Sequence, residues 1–407
     1  MADHQTPERV VITGAGSINA LGVGVDAFAQ ALRDSRSGIG HLSVFDPSAY
    51  RSPYAAEVDD LDSIPCLAPA VHRHASRSDR FALIAAQEAL AAAGLEQEDR
   101  LHAGVIIGAS TGGMLEAESH IVDPDDRQRP AVRGLLNAPV STTADRLALH
   151  FECRGPRLTV STACSSGNNA LGFAADWIRS GRADVVLCGG VDSLCRMTFS
   201  GFNVLQAIDT VPCRPFDRER AGLTLGEGAA MFLFESASRA RARGATPLAE
   251  FLGYAASADA HHMTQPRPDG ASALHAARAA LAVSGVRPEE IDYVNAHGTG
   301  TPLNDAIETK ILKAVLGDHA YRVPVSSTKA ATGHCLAAAG AIEALACVIA
   351  LRDGVVPATL NLEHADPDCD LDYVPNASRS RELRTVMSNS YGFGGNNTTI
   401  VLRRENR

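Results

Sequence analysis

Continuous apolar runs alternate with longer helical patterns along this 407-residue chain. The runs lack the alternation of a half-exposed strand and are typical of strands that a sheet buries on both faces. They cover residues 10–15, 103–110, 183–190, 291–298 and 323–329. Apolar residues at helical spacing predict helices over 78–95, 170–181, 272–285 and 335–354, with C-caps at Gly94, Gly181, Gly285 and Gly354. This alternation predicts an α/β protein of layered sheets and helices.

A weak internal repeat divides the chain. VSTACSSG before the helix at 170 is similar to VSSTKAATGH before the helix near 336. Each combines a strand, a Ser/Thr-rich corner, a reactive residue and an Ala/Gly-rich helix. The repeat predicts two similar halves, residues 1–246 and 247–407. Residues 209–217 and 259–270 are predicted to be loops.

Composition and charge exclude several classes of protein. Apolar residues make up 45% and charged residues 21%, as in globular proteins, and the net charge of −10 argues against a nucleic-acid partner. The sequence shows no secretory signal, and none of its apolar runs approaches the ~20 residues that a membrane-spanning helix needs. We therefore expect a cytoplasmic protein with no membrane contact. The nine cysteines are scattered without a C-x-x-C pair, which argues against a disulfide framework or a zinc site.

Cys164 lies where a strand gives way to a helix, among small polar residues. A helix N-terminus offers unpaired N–H groups and a partial positive charge, which favour the thiolate. The position therefore predicts a nucleophile. The alternative is a buried structural thiol, as most free cysteines are.

Three further corners carry groups that suit acyl transfer. His297 follows a strand in VNAHGTGTP, and His334 lies five residues after Lys329 in STKAATGH. Such corners gather at the C-terminal ends of strands, where ligands bind. The glycines of SNSYGFGGNN (388–397) could expose N–H groups to an oxyanion, or could form a hairpin turn in a terminal strand pair.

GAGSIN (14–19) resembles part of a dinucleotide-binding fingerprint. Asn19 stands where the third glycine belongs, so we reject cofactor binding at this segment.

TACSSG, NAHGTGTP, STKAATGH and NSYGFGGNN resemble, in this order, the motifs of the β-ketoacyl-acyl carrier protein synthases. The similarity is strongest to the elongating, KAS II-like branch and covers nearly the whole chain. It implies a thiolase-like five-layer αβαβα sandwich of two similar halves.

The resemblance implies the chemistry of a ketosynthase. Cys164 would take an acyl group from a carrier-protein thioester, and the backbone N–H groups of Cys164 and Phe393 would hold the oxyanion. His297 and His334 would stabilise the enolate formed when malonyl thioester loses CO2. The product would be a 3-ketoacyl thioester, and no metal or redox cofactor would be required.

Other roles follow from the same resemblance. Lys329 would support the histidines, with Glu343 and Asp305 as supporting carboxylates. Thr299 and Thr301 would hydrogen-bond the phosphopantetheine arm. Phe393 would also gate the acyl tunnel, beside the moving loop 259–270.

The resemblance also implies partners. An acidic acyl carrier protein would dock on a basic patch, for which Arg73, Arg77 and Arg127 are candidates; an ordinary solvated basic face is the alternative. The chain would form a homodimer, or a heterodimer with a chain-length-factor subunit. Thr111 and Phe202 would line the acyl tunnel, and a polar Thr111 would suit a longer or functionalised chain such as a polyene.

Three alternatives stay open at this point. They are a non-catalytic chain-length-factor subunit, a coenzyme-A-dependent thiolase and a Cys–His hydrolase. The intact set of Cys164, His297, Lys329 and His334 argues against the first, and the two-histidine pattern with GTGTP argues against the second. The sequence does not separate fatty acid from polyketide synthesis.

Overall fold

The computed structural model describes residues 8–64, 74–122 and 132–405. The strands in these ranges are β1 Val10–Asn19, β2 Gly22–Val23, β3 Ile39–His41, β4 Tyr54–Ala56, β5 Gly104–Gly108, β6 Arg157–Val160, β7 Val185–Asp192, β8 Gly228–Ser236, β9 Ala249–Ala258, β10 Tyr293–Asn295, β11 Val325–Ser326, β12 Val355–Val356, β13 Arg379–Ser380, β14 Thr385–Gly392 and β15 Asn396–Arg403. The helices are α1 Val25–Arg33, α2 Arg77–Ala93, α3 Gln97–Arg100, α4 Met114–Val122, α5 Thr142–His150, α6 Ser166–Arg179, α7 Arg196–Val204, α8 Ala237–Ala242, α9 Ala271–Ser284, α10 Pro302–Leu316, α11 Lys329–Thr332 and α12 Ala339–Asp353.

The main sheet repeats one topology twice. The first half has the order β6-β5-β7-β8-β1, and the second has β11-β10-β14-β15-β9. In each half the first three strands of this order are parallel, and the fourth is antiparallel to both of its neighbours. A short antiparallel pairing of β1 with β9 joins the halves. The internal repeat noticed in the sequence therefore corresponds to two halves of the same build. The boundary at 246/247 stays a prediction.

Helices cover both faces of each half-sheet. Helices α6 and α12 lie between the halves, with α6 contacting β5 and β7 on one side and β9 and β15 on the other. Helices α2 and α5 cover the outer face of the first half, and α9, with α10 beside it, covers that of the second. The predicted five-layer αβαβα sandwich is confirmed. Helix α12 is apolar all round and buried over residues 339–351, as a central layer requires.

Close packing explains the glycines of β1. An added Cβ would lie 2.1 Å from Ala89 O at Gly14 and 2.0 Å from Ala85 O at Gly16. These glycines let α2 lie directly against the strand. GAGSIN is thus part of a continuous strand rather than a phosphate-binding turn, in agreement with the rejection of a cofactor there.

The predicted elements are present with shifted ends. All four predicted glycines have a left-handed φ, and Gly94, Gly285 and Gly354 are C-caps, whereas Gly181 follows the C-cap Ser180. The helix predicted from 335 begins only at Ala339, because Leu336–Ala338 forms a separate 3₁₀ turn. Strands β8 and β9 were not predicted from the sequence. Both loops predicted at 209–217 and 259–270 lack regular secondary structure.

Candidate active site

Cys164 lies in a tight turn between β6 and α6. Ala163, the residue before it, has a left-handed φ of 51°, which is strained for a side chain other than glycine. Two serines hold the turn: Ser165 Oγ donates to Thr162 O at 2.8 Å, and Ser166 Oγ donates to Ala163 O at 2.6 Å. The Ser/Thr-rich corner read from the sequence therefore fixes the backbone that presents the sulfur.

The thiol of Cys164 is 4% exposed, and burial raises its pKa to about 11. The N–H groups of Phe393 and of Cys164 itself, together with the Lys329 ammonium, act in the opposite direction. The N–H groups therefore favour the thiolate, in the direction predicted, but desolvation outweighs them in the free protein. Both N–H groups therefore lie beside the sulfur.

His297 and His334 meet in the same cavity as Cys164. Their ring centroids are 5.4 Å apart, with the rings at 86° to each other. Both rings are buried, which lowers their pKa values well below 6.5, and the Lys329 charge acts in the same direction. Both imidazoles are therefore neutral at pH 7.

Hydrogen bonds assign the tautomer of each ring. Lys329 Nζ lies 3.2 Å from His297 Nδ1, and an ammonium has only protons to donate. Leu336 N–H donates to His334 Nδ1 at 3.1 Å. With both Nδ1 atoms acting as acceptors, each neutral ring carries its proton on Nε2. The site thus holds two uncharged N–H donors.

Lys329 is itself held by buried partners. Its ammonium donates to His297 O at 2.5 Å and pairs with Glu343, and both side chains of the pair are almost completely buried. The pair compensates two buried charges and fixes the Lys329 amine against His297. Glu343, which was predicted to support the histidines, thus lies against Lys329.

Two carboxylates of α10 hold the loop that carries His297. Asp305 accepts the N–H groups of Phe216, at 2.8 Å, and Gly300. Glu308 accepts the N–H groups of His297 at 2.9 Å and Gly298 at 2.8 Å, and burial raises its pKa to about 7. Glu308 was not predicted from the sequence. The available signal was its place three residues after Asp305, one helical turn further along α10.

The site opens into a small cavity of about 60 Å³. Seven predicted site residues line it: Cys164, Phe202, His297, Thr299, Thr301, His334 and Phe393. A larger groove of about 840 Å³ lies elsewhere, near Arg9 and Arg352, and contains none of these residues. The chemistry-bearing side chains therefore converge, although they come from separate corners of the chain.

The outer part of the cavity contains the predicted pantetheine and gate residues. Thr299 Oγ1 and Thr301 Oγ1 lie 2.9 Å apart. The Phe393 ring stacks on Phe202, with centroids 5.2 Å apart. Gly394 N–H donates to Met263 O at 2.7 Å, so the predicted loop 259–270 lies against the segment that carries Phe393.

The structure corrects two predicted roles, those of Arg77 in carrier-protein docking and of Thr111 in the acyl tunnel. Arg77 donates from Nε and Nη2 to the buried Glu227, and Nη2 also donates to Val58 O. Its guanidinium is therefore committed inside the protein and is not free for a carrier protein. Thr111 is tied to Asp192 and does not line the cavity. Arg73 and Arg127 lie outside the described residues.

Within residues 8–64, 74–122 and 132–405, no group of three His, Cys, Asp or Glu side chains is arranged to hold a metal ion. Among the helices of these same ranges, none combines the length and apolar character that crossing a bilayer requires.

Comparison with known proteins gives full-length matches. The family model for the N-terminal domain of beta-ketoacyl synthases matches residues 7–240, and that for the C-terminal domain matches residues 248–363. A 3-oxoacyl-[acyl-carrier-protein] synthase 2 of Synechocystis sp. is 38% identical over 98% of both chains. A putative polyketide beta-ketoacyl synthase 1 of Streptomyces halstedii is 42% identical over 97% of both chains. A ketosynthase of Xenorhabdus doucetiae, solved with its chain length factor, superposes with a TM-score of 0.87 at 31% identity, over all of both chains.

Proposed function

The chain belongs to the β-ketoacyl synthase family, and on that premise we propose that it condenses an acyl thioester on Cys164 with malonyl-carrier protein. It is an acyltransferase of fatty acid or polyketide synthesis, and acyl carrier protein delivers its substrates. The observation that carries the assignment of residues is the cavity in which the Cys164 thiol meets two imidazole donors.

The first half-reaction loads the acyl group. The Cys164 sulfur attacks the carbonyl carbon of acyl-carrier protein, and the phosphopantetheine sulfur leaves and takes the thiol proton. The oxyanion of the tetrahedral intermediate accepts hydrogen bonds from the backbone N–H groups of Cys164 and Phe393. Donors fixed in advance in a buried site stabilise such charge strongly. A thiol with a pKa near 11 suits this order of events, because the proton leaves only when a substrate is present to receive it.

The second half-reaction forms the carbon–carbon bond. The C–C bond to the malonyl carboxylate breaks, CO2 departs, and the electron pair forms an enolate whose oxygen accepts the Nε2–H groups of His297 and His334. The enolate carbon attacks the acyl carbonyl and expels the Cys164 thiolate, which takes a proton from solvent. The loss of CO2 makes the step effectively irreversible. This chemistry needs no metal or redox cofactor of the protein.

Thr299 and Thr301 suit the phosphopantetheine arm, because their hydroxyls flank the cavity that contains Cys164. Phe393 suits the role of gate, since its ring stacks on Phe202 at the same cavity. A movement of the segment around Gly394 would carry the Phe393 ring away from Phe202.

A second ketosynthase-like chain is the partner that suits the free edge of the sheet. Strand β6 ends the sheet, and Leu158 on it is 36% exposed. Leu149 on α5 and Phe173 on α6, helices that flank β6, are also exposed. An unpaired strand edge beside apolar side chains favours association with another chain.

The test separates the two half-reactions. Purified protein is mixed with acyl-carrier proteins of several chain lengths, and mass spectrometry locates the acyl adduct; CO2 release from labelled malonyl-carrier protein is measured separately. We expect the adduct on Cys164, its loss in Cys164→Ala, and a fall in CO2 release of about 100-fold in His297→Ala or His334→Ala with loading retained. An adduct that persists in Cys164→Ala, or CO2 release unchanged in both histidine variants, would overturn the proposal.

A further inference from the structure

Asp192 is a buried carboxylate that joins two turns from different parts of the chain. It ends β7 and is completely buried. Its Oδ1 accepts three hydrogen bonds from the turn after β5: Ser110 N–H at 2.9 Å, Thr111 N–H at 2.8 Å and Thr111 Oγ1–H at 2.9 Å. Its Oδ2 accepts Ser110 Oγ–H at 2.5 Å and Ala337 N–H at 2.8 Å. All five donors to this carboxylate come from uncharged groups.

The bond to Ala337 lies one residue from the group that orients His334. Leu336 N–H donates to His334 Nδ1, and Ala337 is the next residue. Leu336 has a left-handed φ of 51°, a strained conformation that persists only where its surroundings hold it. Gly190 of β7 and Gly167 of α6 leave room for Ala337, since a Cβ on either would lie within about 3.0 Å of Ala337 O. The turn 335–337 is therefore held by packing, by the bonds of Cys335 to Ala338 N–H and Glu227 O, and, at Ala337, by the hydrogen bond to Asp192.

We propose that Asp192 is a positioning residue for decarboxylation, which holds the turn 335–337 so that Leu336 N–H stays on His334 Nδ1. With that bond in place, His334 keeps its proton on Nε2 and directs it into the cavity. Without the bond, the imidazole can rotate or change tautomer, and one enolate donor is lost. The inference rests on the role proposed for His334. Asp192 contacts neither substrate nor the reacting atoms.

Asp192→Asn distinguishes the two oxygens of the carboxylate. The amide oxygen takes the Oδ1 position, which receives two backbone N–H groups and one hydroxyl. The amide NH2 then takes the Oδ2 position, where it faces Ala337 N–H, and two donors cannot bond to each other. The Ser110 hydroxyl can rotate and accept, so only Ala337 loses its partner. Ser110→Ala is the matched control, because it removes a bond to Oδ2 and keeps the bond from Ala337.

The experiment compares acyl loading with CO2 release in the full chain. For Asp192→Asn we expect loading within about twofold of the unaltered protein and CO2 release lower by about 10- to 100-fold, as for a displaced donor. Ser110→Ala should keep the unaltered ratio of the two rates. If Asp192→Asn does not accumulate as folded protein, Asp192→Ser, whose side chain is too short to span both turns, is measured with the same expectation.

His334→Ala, measured in parallel, separates this inference from the proposed function. If His334→Ala loses CO2 release while Asp192→Asn keeps it, the positioning role of Asp192 is refuted and the proposed function stands. If His334→Ala keeps CO2 release, the role proposed for His334 fails and this inference with it, and if His297→Ala keeps it as well, the proposed function itself fails. Equal losses of loading and CO2 release in Asp192→Asn would assign Asp192 a merely structural role and also refute the inference.

Discussion

At Cys164, burial and the surrounding donors act on the thiol in opposite directions, and burial prevails. Only the thiolate is alkylated, so the rate of modification by iodoacetamide reports its population. With a pKa of about 11, the rate at Cys164 should rise about tenfold per pH unit between about pH 7 and 9.5. Mass spectrometry of the peptide that contains Cys164 measures this rate.

Cys164→Ser provides the control, because it reports modification of the other thiols. The described cysteines are all buried, so we expect little background. A rate at Cys164 that reaches a plateau below pH 9 would contradict the expectation and would mean that the helix N-terminus outweighs desolvation after all.

Single residues with distinctive chemistry could be predicted from the sequence, but their partners could not. Cys164, His297 and His334 stand in recognisable corners, and the structure brings all three to one cavity. Two groups orient the imidazoles. One is the lysine of the motif, and the other is the backbone N–H of Leu336, which cannot be predicted from the type of residue at that position. Asp192 acts on a turn 145 residues away. Such contacts depend on the fold rather than on local sequence.

Among the elements, β1 and α2 show how small residues set the distance between layers. The alanines of α2 place its backbone against Gly14 and Gly16, with no space for a side chain on either glycine. Gly16→Ala should therefore lower the free energy of unfolding by about 3 kcal/mol, the upper range for overpacking a core. Urea denaturation followed by circular dichroism measures the change.

Gly40→Ala is the matched control for this substitution. Gly40 also lies in a strand, but an added Cβ there would meet nothing within 4 Å. Its stability should stay within about 0.5 kcal/mol of the unaltered protein. Equal stability of the two variants would show that β1 and α2 can separate without cost.

The sequence predicted helices and strands correctly where the periodicity of apolar residues was clear. The prediction failed where that periodicity was not clear. The helices near 78 and 272 carry polar faces and glycine caps, so they were predicted within two residues at either end. Strand β8, GAAMFLFES, is buried throughout, and a short run of Ala, Met and Phe fits a buried helix as well as a strand. Its assignment comes from pairing with β1 and β7, which are distant in sequence.

For the whole molecule, the duplicated topology places an equivalent strand, β6 or β11, at each end of the sheet. The internal repeat in the sequence indicated two similar halves, but the strand order within each half required the structure. The two end strands differ: β11 is buried and its Val325 N–H donates to Asp372 O at 2.8 Å, whereas β6 carries two exposed residues, Arg157 and Leu158. The exposed edge is therefore the one available to another chain.

Association through β6 predicts the effect of a charge placed at that edge. The unaltered chain should have the mass of two chains by light scattering after size-exclusion chromatography, and Leu158→Asp should have the mass of one, because a desolvated, unpaired carboxylate opposes burial. Val283→Asp, at a 63% exposed position on α9 in the outer layer, is the control and should remain paired. Dissociation of both variants, or of neither, would place the contact elsewhere. An unaltered protein with the mass of one chain would mean that β6 does not pair with a second copy of this chain.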